Sequence, residues 1–234
     1  VVTFLMEHEQ YSYPEAIKYI ANKYNIEVEE TERTQEQISQ DNEKESLFLV
    51  SDFAKNYFKK NLFEEEGKTV ALSYLKERNF NDEIIQKFEI GYSENAKDNF
   101  SKAAIHAGYK LNFLEKTGLT IVKENENIDR FRGRVVFPIR SMSGRILGFG
   151  GRILGSSKNI AKYINSPESL IYQKSKVLYG IFESKQSIVK NDNCFLVEGY
   201  TDVIKMHQCG ISNVVASSGT CLLYTSPSPR DISR

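Results

Sequence analysis

Apolar residues recur at spacings of three and four through the first half of the chain, and the elements they predict there are helices. Ala16, Ile17, Ile20 and Tyr24 form a first stripe. Ser12 stands before it as an N-cap, Pro14 lies in the first turn, and Glu15 follows the cap by three. Asn25 would end this helix, and Ile26-Glu27-Val28 would leave it extended. Val1–Met6, largely apolar, fits either a strand or a helix start. Residues 29–45 carry almost no apolar side chain, which predicts a linker or an exposed helix start and a domain boundary. Leu47, Val50, Phe53, Ala54, Tyr57 and Phe58 then resume the helical spacing. Val70, Leu72 and Leu75 predict a helix over 69–78. Phe80-Asn81-Asp82-Glu83 is a cap leading into Ile84, Ile85 and Phe88. Two short helices, 101–107 and 112–116, end in turns at Gly108 and Gly118. These stripes read as core.

Beyond Asp129 the pattern changes to short β-type runs. Arg134–Ile139 and Arg145–Phe149 flank a hairpin turn at Ser141–Gly144. A helix is predicted over 177–185. Phe195-Leu196-Val197 predicts a buried strand, Tyr200–Gln208 a helix stopped by Gly210, and Asn213–Ala216 a second strand. Strand, helix and strand in that order make a βαβ unit with a parallel pair.

Charge alters this picture more than composition does. The 234 residues hold 31 basic and 31 acidic side chains, for a net of zero. Residues 1–128, however, carry 16 basic and 24 acidic groups, and residues 129–190 carry 12 and 3. Such a segment is either a solvated surface or one that tracks phosphates. Cys194, Cys209 and Cys221 are odd in number and far apart, and His8, His106 and His207 are scattered. Disulfide frameworks and zinc spacings are therefore excluded, and a reducing compartment, the cytoplasm, is expected. No run of eighteen apolar residues predicts a membrane span, and no signal peptide is visible.

Three groups of residues carry candidate chemistry. Glu198 closes the predicted strand and Asp202 follows by four, which would set both carboxylates on one side of a helical turn. Strand C-terminal edges are where α/β proteins bind ligands, and paired hard oxygens suit Mg2+. The same pair also reads as a capping Glu with a surface Asp. Arg130, Arg132 and Arg134 alternate, so an extended strand would place them on one face opposite Phe131, where guanidiniums fit phosphate. Arg152 follows Gly148, Gly150 and Gly151, which have neither Rossmann nor Walker spacing and read equally as close strand packing. Lys162 and Lys174 flank Asn165-Ser166-Pro167-Glu168, and Lys176 lies just beyond.

Three blocks in order, DRFRGRVVFPIRSMSGRILGFGG (129–151), YINSPE (163–168) with Lys174 and Leu178-Tyr179-Gly180, and VEGYTDV (197–203), resemble the bacterial replicative DNA primase family of DnaG type. Residues 1–30 resemble the stretch after that family's zinc ribbon. The likeness covers about 1–220. The long middle block is specific, whereas VEGYTDV alone says only Toprim-like, a feature topoisomerases share.

The resemblance implies an α+β fold. A helical and mixed N-terminal primase-core subdomain (46–190, with a basic groove from 129) precedes a truncated Toprim α/β subdomain beginning at 191–220. Residues 1–30 would be the end of the zinc-binding region and 31–45 a linker. It implies acidic site residues at Glu198, also the metal ligand, and Asp202. It also implies template or nucleotide contacts at Arg132, Arg152, Lys162 and Lys174, with Arg130 and Arg134 as companions. Mg2+ or Mn2+ would be the cofactor, with Zn2+ bound only in the full-length parent, since that family's zinc ligands would lie upstream of Val1. The activity implied is synthesis of short RNA primers on single-stranded DNA from ribonucleoside triphosphates. A replicative helicase would be a partner through a C-terminal domain beyond this chain, and no membrane is involved. Residues 221–234 break the family pattern and read as an adapter-derived tail, ahead of the family's Asp-Gly-Asp motif. Two other readings stand at this point: a non-catalytic single-stranded nucleic-acid-binding module, and a piece of another Toprim protein such as a phage primase-helicase.

Overall fold

The computed structural model describes residues 1–8, 13–24, 26, 35–124, 126–155 and 160–217. Ser12, Asn25 and the stretch 221–234 lie outside them. Two compact units divide the chain at 1–43 and 44–234. In the first, helices α1 (Val2–His8) and α2 (Tyr13–Lys23) pack together and bury Leu5, Ala16 and Ala21. Val1–Met6 is thus resolved in favour of a helix. Helix α3 runs Gln35–Asn61, so the polar stretch ends in a helix start.

In the second unit, α3 buries Leu47, Val50, Ala54 and Phe58, the predicted stripe. The predicted 69–78 helix is a π-helical segment, Gly67–Leu72, followed by α4 (Ser73–Glu77). Helix α5 (Asp82–Lys87) starts as expected, with Asn81 Oδ1 accepting the Ile84 N–H at 2.8 Å. Helices α6 (Asn99–His106) and α7 (Leu111–Lys116) follow.

Strand β1 (Gly91–Ser93) and the hairpin β2 (Thr120–Lys123) and β3 (Glu126–Asp129) were not predicted. Strand β1 is three residues long and buried throughout, so it has no polar alternation to read. Strands β4 (Arg134–Arg140) and β5 (Ile146–Ile153) form the expected hairpin. With β6 (Tyr163–Asn165) they build an antiparallel sheet of order β1-β4-β5-β6.

A second sheet has the order β7-β9-β8, from β7 (Leu178–Tyr179), β8 (Phe195–Val197) and β9 (Val214–Ser217). Helix α8 (Ile181–Asn191) begins four residues later than predicted, because Leu178 and Tyr179 pair with β9. Strands β8 and β9 are parallel and joined by α9 (Tyr200–Gln208), which is the βαβ unit expected. Strand β8 is not buried, however. Phe195 and Leu196 are 50% and 51% exposed, since β8 is an edge strand and only its last residue, Val197, packs against the core.

Helix α9 is tied back to the turn before α5. The Asn79 carbonyl accepts from Lys205 Nζ at 2.6 Å and Gln208 Nε2 at 2.8 Å, and the Asn81 N–H donates to Gln208 Oε1 at 3.0 Å. Deeper, Ser184 Oγ donates to the Val214 carbonyl at 2.7 Å and therefore accepts from His207 Nε2 at 3.0 Å. His207 Nδ1 faces Lys87 Nζ at 3.2 Å, so the ring is a neutral Nε2–H tautomer. Burial, and then the Lys87 charge, hold its pKa down to about 4. This Ser–His pair is a structural brace, because Ser184 is fully buried and its proton is committed to a carbonyl.

Candidate nucleic-acid and acidic site

The three sequence blocks meet at Tyr200. Its ring fills the space beside Gly150, where any Cβ would overlap it. Its hydroxyl donates to Asn165 Oδ1 at 2.8 Å, and its ring lies 4.5 Å from that of Tyr179. The glycines after Phe149 therefore serve close packing, the second of the two readings open from sequence. Ser166 extends the β5 edge by accepting the Phe149 N–H on its Oγ and donating its own N–H to the Phe149 carbonyl.

The arginines do not share a strand face. Arg130–Gly133 is a turn, and Gly133 takes φ +65°, a conformation that breaks the expected alternation. Arg130 Nε donates to the Gly118 carbonyl at 2.6 Å. Arg134 is 5% exposed and donates to the Ala161 and Lys162 carbonyls at 3.1 and 3.4 Å. Both therefore hold loops in place, and burial lowers both pKa values.

Two further basic residues of 129–190 are paired with carboxylates. Arg140 binds Glu89 and lies 3.6 Å from Glu183. Arg145 Nη2 donates to both Glu45 carboxylate oxygens, at 2.7 and 2.8 Å, and the guanidinium stacks 3.6 Å over Phe48. Among the described residues Arg132, Arg152, Lys162 and Lys174 have no carboxylate partner. Arg132 and Lys162 are exposed and Lys174 half-buried, its N–H donating to Glu168 Oε1 at 2.9 Å. Arg152 is buried against Tyr74 and Tyr163. By partner, Arg140 and Arg145 are held by carboxylates and Arg130 and Arg134 by backbone carbonyls, whereas the exposed Arg132 and Lys162 are held by neither among the described residues, a distinction spacing alone does not make. Tyr200, Tyr74 and Tyr163 pack among these residues, contacts that the sequence does not reveal because aromatic stripes ordinarily read as core.

Glu198 follows β8 directly and its carboxylate is exposed. It stands in a bend ahead of the N-cap Gly199, outside α9, so the two carboxylates do not share a helical turn. Asp202 turns back and accepts the Gly199 N–H at 3.2 Å, the capping role. Among the described residues no group of three His, Cys, Asp or Glu is placed to hold a metal. Glu198 nonetheless fits one ligand position of Mg2+, which takes one or two carboxylates and completes its shell with water and phosphate.

The family described as "DNA primase catalytic core, N-terminal domain" matches residues 57–185, and the Toprim domain matches 193–232. Toprim membership implies divalent-metal chemistry for the family. DNA primase of Halalkalibacterium halodurans is 38% identical over 223 residues, covering 94% of this chain and 36% of the relative. DNA primase of Clostridium acetobutylicum is likewise 38% identical, over 224 residues, 95% of this chain and 36% of the relative. The chain thus spans about a third of the length of these curated relatives. Among solved structures, the RNA polymerase domain of Mycobacterium tuberculosis primase DnaG in complex with double-stranded DNA is 36% identical with a TM-score of 0.72, covering 76% of this chain and 56% of that one. A DnaG primase catalytic domain bound to single-stranded DNA is 35% identical with a TM-score of 0.69, covering 76% and 57%. No described helix is long and apolar enough to cross a membrane. With its helical half, open antiparallel sheet and parallel βαβ unit arranged around Tyr200, the chain belongs to the bacterial DnaG-type primase catalytic core family.

Proposed function

We propose that the whole protein synthesises short RNA primers on single-stranded DNA from ribonucleoside triphosphates. In this reading residues 46–190 form the N-terminal subdomain of the catalytic core and 191–220 the start of the Toprim subdomain. The observation that carries it is the match to a DnaG catalytic domain bound to single-stranded DNA, at 35% identity over 76% of this chain. Arg132, Arg152, Lys162 and Lys174, none with a carboxylate partner among the described residues, support it, since phosphate tracking needs spaced, uncompensated charge.

Arg132 and Lys162, exposed, contact the template backbone. Arg152 and Lys174 hold phosphate at the nucleotide, while Arg130 and Arg134 keep the surrounding loops in shape. Glu198 is the acidic residue of the reaction, and it would hold a divalent cation, Mg2+ or Mn2+, with one carboxylate. When bound, that ion neutralises charge on the transferring phosphate. Asp202 fixes the Gly199 backbone on which Glu198 depends. A replicative helicase and, upstream, a zinc ribbon belong to the same proposal for the whole protein.

Primer synthesis by the full-length protein tests this reading. Glu198→Gln is expected to remove nearly all synthesis at unchanged template affinity and melting temperature. Full activity in that variant would end the assignment and leave a binding module.

A further inference from the structure

Lys174 opens a single helical turn, Lys174–Lys176, and its backbone N–H has no partner within that turn. Gln173, at the N-cap, does not supply one from its side chain. Glu168 does, because its Oε1 accepts the Lys174 N–H at 2.9 Å. Among the described residues this is the one hydrogen bond or ion pair of the Glu168 side chain. The carboxylate thus holds Lys174 by its backbone and leaves the ammonium without a carboxylate partner.

The turn that carries Glu168 is anchored residue by residue from separate elements. Asn165 Oδ1 accepts the hydroxyl of Tyr200, on α9, at 2.8 Å. Ser166 exchanges two hydrogen bonds with Phe149 of β5. Pro167 lies against Gly118, where any Cβ would overlap its ring. Beyond Glu168, Ser169 and Tyr172 bond to each other through their backbones, and Tyr172 is fully buried. A carboxylate fixed at one end and bonded to an N–H at the other transmits this placement to the Lys174 backbone. A long lysine side chain loses much rotamer freedom when its ammonium is placed on a phosphate. Fixing the backbone beneath it removes part of the search and keeps the charge in register with its target.

We propose that Glu168 is a positioning residue, which sets the backbone of Lys174 so that its ammonium meets a phosphate of the incoming ribonucleoside triphosphate. The inference rests on reading Lys174 as a nucleotide-contacting residue. It gives Glu168 no contact of its own with nucleotide, metal or template.

The test is steady-state primer synthesis by the full-length protein with ATP as the varied nucleotide. Glu168→Ala is expected to raise the apparent KM for ATP about 5-fold and to leave kcat within about 2-fold of the parent. Glu168→Gln keeps an oxygen for the Lys174 N–H and is expected to stay within about 2-fold in both constants. In a Lys174→Ala background, Glu168→Ala is expected to add less than about 2-fold to KM, because the side chain it positions is gone. A parent-like KM in Glu168→Ala overturns the proposal and leaves Glu168 a surface turn cap. A Glu168→Gln defect as large as that of Glu168→Ala also overturns it, since the charge itself would then be acting. So does full additivity of the two alanine changes. Glu168 is exposed, so its variants are expected to melt near the parent. If Glu168→Ala does not fold, Glu168→Met takes its place, keeping the length of the side chain without an acceptor. Lys174→Ala separates the two levels of the argument. An unchanged KM there removes the reading of Lys174, whereas a raised KM there with parent-like Glu168→Ala removes only the positioning role.

Discussion

The ring of Tyr200 lies where a side chain on Gly150 would stand, and one tyrosine thereby joins the Toprim helix to the middle strand of the antiparallel sheet. Gly150→Ala is expected to push the ring off β5 and destabilise the fold by about 1–3 kcal/mol, an overpacking effect. Tyr200→Phe keeps the ring and loses the bond to Asn165, with an expected cost of about 1 kcal/mol. Urea unfolding of both variants ranks them. A Gly150→Ala protein as stable as the parent would show that the ring moves aside freely.

Arg132→Ala and Arg134→Ala are the same change two positions apart with opposite expected readouts. Arg132 is exposed, so its loss lowers single-stranded DNA affinity and the salt slope while the melting temperature holds. Arg134 is buried on two carbonyls, so its loss costs about 1–3 kcal/mol of stability. Anisotropy and thermal melting on each sample check the pair, and equal effects on both readouts would refute the sorting.

His207 sets an acid limit on stability. Its folded pKa, about 4, lies below the ordinary value of 6.5, so folding favours the neutral ring. The stabilisation is complete above pH 6.5 and disappears as pH falls through 4, amounting to about 3 kcal/mol. His207→Gln is expected to be less stable at pH 7, with the deficit narrowing towards pH 4. Urea midpoints for parent and variant across that range measure it, and a constant deficit would contradict the assignment.

Asp202 caps α9 by accepting the Gly199 N–H. Asp202→Ala is expected to cost about 1 kcal/mol through the lost Gly199 bond. Asp202→Asn retains an acceptor oxygen and should melt near the parent. In the full-length protein, Asp202→Asn is expected to reduce primer synthesis less than Glu198→Gln, and Lys174→Ala to raise the apparent KM for nucleotide. Steady-state assays beside melting curves separate the roles.

The elements visible in the sequence were those with a full period to display. The stripe Leu47, Val50, Ala54 and Phe58 spans three turns, and the βαβ unit has two apolar runs around one amphipathic helix. Strand β1 was hidden by its brevity, and β2–β3 by their position beside a helical run. The site was visible as motif blocks but not as geometry. Alternation of Arg130, Arg132 and Arg134 predicts a shared face only on an extended backbone, and Gly133 bends that backbone. Phe195 and Leu196 read as buried because strand composition reports hydrophobicity rather than coverage.

The carbonyl of Asn79 bears on how the chain is assembled in time. Its partners on α9 lie 126 and 129 residues further along. At synthesis rates of about 5–20 residues per second, the turn before α5 leaves the ribosome about 6–26 seconds before the side chains that bind it. Helix α3 packs Phe58 against Phe149 and α5 packs Phe88 against Tyr179, so both also wait for later segments, and closure of the α5–α9 contact waits for nearly the whole described chain. Until then the apolar surface of α5 that receives α9 stays open to chaperones or to misplaced partners.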